Sequence, residues 1–128
     1  MKKIKIFFLL LVIACGTVGC IYDFIAPEEE EIIDPTVDVS FTTQILPIFT
    51  SGENCTACHR TGMTAPDLTA SNAYNSINNT KYLNKTTPAE SVIYKVPSPG
   101  STTHSHKTYT ANQAALLLTW IQQGAKNN

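Results

Sequence analysis

The chain has 128 residues, a formal net charge of −1, 43% hydrophobic residues and four cysteines. That length suits one folded domain, and the near-neutral balance gives no support for nucleic-acid binding. Four cysteines are too few for a disulfide-dense scaffold, so their placement decides their use.

The first twenty residues read as an export signal rather than as fold. Lys2, Lys3 and Lys5 precede an apolar run from Ile6 to Ala14, and small residues then lead to a cysteine. The run is too short for a typical membrane-spanning helix. Thr17-Val18-Gly19-Cys20 resembles a bacterial lipoprotein cleavage site, with Gly19 ahead of the modified cysteine. Cys20 is the favoured lipidation site. Cys15, after Val12-Ile13-Ala14, is the alternative but leaves an unusually short signal. Residues 1–19 are therefore expected as a signal peptide. Two acyl chains on the new terminus would give stable attachment to the cell envelope, on a periplasmic or outer-membrane face.

Residues 20–38 are expected as an acidic, lipid-anchored tether. Pro27, Pro35 and Glu28-Glu29-Glu30-Glu31 break any sustained periodicity, and like charges extend such a segment. From Val39 onward, six basic side chains stand against three acidic ones, a net +3. A mildly basic domain on an acidic leash fits docking to acidic redox partner proteins, although a solvated surface explains the same charges.

Residues 39–128 form the expected folded domain. Phe41, Ile45, Leu46, Ile48 and Phe49 predict a short leading helix within Ser40 to Phe49, with Pro47 near its first turn or at a kink. Then comes Cys55-Thr56-Ala57-Cys58-His59, the attachment signature of c-type haem. Two thiols three residues apart can each add to one vinyl group on the same porphyrin edge. His59 is then placed to ligate the iron from the proximal side. Cys55 and Cys58 thus account for both cysteines outside the signal region. A zinc-binding envelope module using Cys55, Cys58, His104 and His106 is the main alternative, because structural zinc takes four such ligands. A redox dithiol lacks the accompanying strand–helix alternation.

Downstream, Thr69 to Asn79 predicts a helix capped by Thr69, with Tyr74 and Ile77 on one side. Thr87-Pro88-Ala89-Glu90 has the spacing of a capping box and predicts a helix carrying Val92, Ile93 and Val96, stopped by Pro97. A turn-rich loop then brings up His104 and His106. Thr110-Ala111-Asn112-Gln113 is a second capping box. It opens a final helix with Ala114, Leu117, Trp120 and Ile121 inward, ended by Gly124.

The order Ile45-Leu46-Pro47-Ile48-Phe49, the haem motif, Ala65-Pro66-Asp67-Leu68, Glu90-Ser91-Val92-Ile93-Tyr94 and Trp120-Ile121-Gln122-Gln123-Gly124-Ala125 resembles small monohaem cytochrome c domains of the planctomycete type, found also in bacteroidete lipoproteins. The resemblance covers Val39 to Ala125. It implies an all-α, cytochrome c-like fold in which the first and last helices cross and close a haem pocket. It also implies that Pro66 and Leu68 lie on the proximal side, with Leu68 and Tyr94 against the porphyrin.

The chain departs from many such relatives at the sixth ligand. They place a methionine just before the final helix, whereas Met63 here lies only four residues past His59. The corresponding loop holds His104 and His106. Bis-histidine ligation is expected, with His104 preferred and His106 the alternative; otherwise water or Lys107 takes the position, or none does. No catalytic triad or acid/base pair is present, so the expected role is a monomeric electron carrier rather than an enzyme. A haem sensor or peroxidase-like domain with an open sixth position is a further alternative.

Overall fold

The computed structural model describes residues 33–53, 55–104 and 106–128. The signal, both candidate lipidation cysteines and most of the tether lie outside the described residues. Among those described, all regular structure is helical and no strand occurs.

The chain enters through Ser40, whose hydroxyl accepts from the Thr43 N–H at 3.3 Å. The Gln44 side chain accepts in return from the Ser40 N–H at 2.8 Å. This is a reciprocal cap, closed one position later than in a capping box. The first turn, Phe41–Ile45, is π-wound: the Ile45 N–H reaches the Ser40 carbonyl and the Leu46 N–H reaches that of Phe41. It runs directly into α1 (Leu46–Thr50), with Pro47 in the first turn of that segment. Proline brings no N–H and crowds the carbonyl four residues back. The widened turn directly upstream accommodates it without breaking the helix. Pro47 therefore neither caps nor stops the leading helix.

Two later elements differ from the sequence expectation. The helix sought over Thr69 to Asn79 is reduced to α2 (Ala73–Ile77), which starts after Asn72. Thr69 does not cap it, because its hydroxyl is committed to Asp67 Oδ1 at 2.6 Å. The Thr87 box does not form either. Pro88–Glu90 make a 3-10 turn, Ser91 is extended, and α3 (Val92–Lys95) follows as a separate turn. Ser91 is 1% exposed, and its hydroxyl accepts from the Asn84 N–H at 2.9 Å. That buried bond splits the helix, and Glu90 pairs with Lys95 at 2.6 Å rather than reaching back to Thr87.

The last helix, α4 (Ala111–Gln122), forms as its sequence dictates. Thr110 and Gln113 satisfy each other's backbone N–H groups in a full capping box, and Gly124 ends the helix at φ 96°. Ala114, Leu117, Trp120 and Ile121 are its buried face. Trp120 is fully buried and lies 5.4 Å, centre to centre, from Phe41 of the leading turn. Tyr74 of α2 meets Phe41 edge-on at 5.2 Å, and its hydroxyl donates to the Ala125 carbonyl. The leading and final helices thus share one aromatic seam. Polar bonds lock the same end. The Val39 N–H donates to Gln123 Oε1 at 2.7 Å, the Phe41 N–H to Asn128 Oδ1 at 2.9 Å, and Lys126 pairs with Asp38 at 2.6 Å. No helix among the described residues is long and apolar enough to cross a membrane.

Candidate functional site

An apolar cavity opens beside this core. Its walls come from Ile48 of α1, Ile93 of α3, the Cys55–Leu68 segment and the loop between α3 and α4. Its interior is about 140 Å³, and about 660 Å³ when the open mouth is counted.

The cysteine segment is wound into a single turn. The Cys58 and His59 N–H groups both donate to the Cys55 carbonyl, at 3.2 and 2.8 Å, and the Cys55 N–H donates to Phe49. Cys55 is half-buried in the cavity wall, Cys58 is exposed, and the two thiols are not bonded to each other. Burial pushes the Cys55 thiol up from its ordinary value, against a smaller opposite pull from the Lys107 charge.

His59 lines the cavity and is held at three points. Beyond its own N–H, its carbonyl accepts from the Leu68 N–H at 2.9 Å and its Nδ1 donates to the Pro66 carbonyl at 3.2 Å. A carbonyl can only accept, so Nδ1 carries a proton, and in the neutral ring Nε2 is the nitrogen left for a metal. His104 lines the same cavity. Its Nδ1 donates to the Lys107 carbonyl at 2.6 Å, which leaves its Nε2 in the same state. The two rings are 6.0 Å apart between centres, with planes 27° apart. Both imidazoles line the one cavity and would supply the nitrogens available to hold a metal there. His106 is exposed and takes no part in the wall.

Pro66 and Leu68 are buried and line the cavity. Tyr94 does not; it packs half-buried against the hydrophobic core. The aromatic wall comes instead from Tyr82 and Tyr109, neither of which stands out in the sequence. Tyr109 is 6% exposed, its hydroxyl donates to the Ile93 carbonyl at 2.9 Å, and its N–H closes the base of the α3–α4 loop on the Pro97 carbonyl at 2.8 Å. Burial pushes its phenol well above the ordinary value, with the Cys55 charge adding to the rise. Its position just before the Thr110 cap was the available signal. Met63 is 55% exposed, and its sulfur accepts from Arg60 Nε on the outer surface. Among the described residues no three His, Cys, Asp or Glu side chains gather as a metal-binding group, and Cys58 and His106 are exposed.

Compared with known proteins, the chain matches no protein-family model, no curated protein and no solved structure.

Proposed function

We infer that this chain is a c-type cytochrome, an electron carrier held at the cell envelope, in line with its resemblance to small monohaem domains of the planctomycete type. The observation that carries the reading is the His59–His104 pair, whose rings lie 6.0 Å apart at one apolar cavity with Cys55 in its wall. In this reading Cys55 and Cys58 would hold the haem through two thioether bonds, and His59 and His104 would be its iron ligands. When bound, haem c supplies one-electron cycling between ferric and ferrous iron. The chain's own contribution is to orient both imidazoles through backbone carbonyls and to keep water from the site with Leu68, Ile93 and Tyr109. A second histidine in the same cavity favours electron carriage over a sensor or peroxidase-like site, which needs an open sixth position. The +3 domain suits acidic redox partner proteins.

The test is the absorption spectrum of the full chain, produced where haem attachment operates outside the cytoplasm. A Soret band that survives denaturation and acid–acetone extraction is expected. A colourless protein carrying stoichiometric zinc would overturn the reading. Lipid anchoring at Cys20 is checked separately: Cys20→Ser should move the protein from membrane to soluble fraction with its spectrum unchanged. Retention on the membrane would point to Cys15 or to an uncleaved signal.

A further inference from the structure

Asp67 stands between the two residues that hold the proximal histidine. Pro66, before it, accepts the His59 Nδ1 proton, and Leu68, after it, donates to the His59 carbonyl. Asp67 itself does not line the cavity. Its carboxylate collects four donors from both sides of the segment. Oδ1 accepts from the Thr69 N–H at 3.0 Å and the Thr69 hydroxyl at 2.6 Å. Oδ2 accepts from the Thr61 hydroxyl at 2.5 Å and Asn72 Nδ2 at 2.9 Å. Its backbone N–H donates to the Ser76 hydroxyl in α2 at 2.8 Å. One residue therefore ties the loop after His59 to the loop before α2 and to α2 itself, with the Pro66 carbonyl in the adjoining peptide.

We propose that Asp67 is the positioning residue of the proximal ligand, fixing the Pro66 carbonyl and through it the orientation and basicity of the His59 imidazole. This rests on the haem reading above. The physical link is general: a ligating histidine whose second nitrogen donates to a fixed carbonyl is a stronger base, and loss of such outer partners weakens metal ligation 10- to 100-fold. Bonds to an ionised carboxylate are stronger than neutral ones, so a single charged anchor outperforms scattered neutral contacts. Asparagine at this site keeps the shape but turns an amide N–H₂ toward donors on one side. Removing the Thr61 hydroxyl takes away one donor and leaves the charge.

The experiment compares Asp67→Asn, Thr61→Val and wild-type holoprotein by reduction potential and by the low-spin EPR signal. A less basic imidazole stabilises ferric iron less, so the potential should rise in both variants, more in Asp67→Asn. A tenfold loss in ferric over ferrous preference corresponds to about 59 mV for one electron. The EPR g-values should shift with it as the ring turns. Leu83→Ala, a core truncation away from the cavity wall, lowers stability and should move neither readout. Unchanged potential and g-values in Asp67→Asn, with stability reduced, would overturn the proposal while leaving the haem reading intact. An equal shift in Leu83→Ala would overturn it too, by making the effect generic. If Asp67→Asn takes up no haem, the Thr61→Val potential decides alone. Wild-type protein without covalent haem would remove the haem reading itself, and the Asp67 proposal with it.

Discussion

His104 and His59 line one cavity with ring centres 6.0 Å apart, although 45 positions separate them in the chain. The two are held differently. His59 is fixed by three bonds to the turn and the Pro66–Leu68 segment, while the His104 ring is bonded within its own loop, to the carbonyl of Lys107.

That arrangement separates the two candidate distal histidines. His104→Ala should convert a low-spin spectrum to high-spin or open-site behaviour, and His106→Ala should leave it low-spin, since His106 is exposed and outside the wall. Optical and EPR spectra of the two variants check this. Low-spin iron surviving both substitutions, or a methionine-sulfur charge-transfer band, would remove His104 from the site.

Attachment should need both thiols. Cys55→Ala and Cys58→Ala each leave one thioether, so haem yield should drop sharply in either. The double variant should hold no haem through denaturing electrophoresis. Haem staining and intact mass measure this; full covalent loading of either single variant would contradict the assigned linkage.

Asp67 makes an acid-side prediction. Hydrogen bonds from Thr61 and then Thr69 hold its carboxyl below the usual carboxylate range. Its folded form thus binds the proton less readily than the unfolded chain, whose aspartate titrates near ~3.9. The resulting stabilisation is fully present above that value and is lost as pH falls toward the depressed folded one. Melting temperature plotted against pH should fall on this acid limb, and Asp67→Asn should flatten it. An identical acid limb in the variant would show that the carboxylate is not protected.

The aromatic seam should dominate the core. Trp120 is fully buried against Phe41 and Tyr74, and its indole N–H donates to the Lys126 carbonyl at 2.9 Å. Trp120→Ala should cost about 3–5 kcal/mol, the range for deleting a large buried aromatic. That is a large share of the roughly 5–15 kcal/mol that stabilises an ordinary domain. Denaturant titration of the holoprotein measures it, and a loss below about 1 kcal/mol would mean the seam repacks freely.

Local chemistry was legible in the chain alone where neighbours in sequence supply the whole interaction. The final helix is the clearest case: its cap, buried face and glycine stop all lie within Thr110 to Gly124, and each forms as its residues dictate. The Cys55–His59 turn is similarly self-contained, closed by its own backbone bonds. Tertiary contacts decided the rest. Ser91 breaks the helix predicted after Thr87 because its hydroxyl is used by Asn84, and Thr69 leaves the α2 cap because Asp67 takes its hydroxyl. Of the two tyrosines only Tyr94 reads as a pocket residue in sequence, yet the fold turns Tyr109 to the cavity and Tyr94 to the core. The choice between His104 and His106 is of the same kind. Two histidines two residues apart in a turn-rich loop carry equal local chemistry. The path of the backbone between Pro97 and Tyr109, pinned at its base by bonds from Tyr109 to Pro97 and Ile93, is what brings one ring to the cavity and leaves the other in solvent.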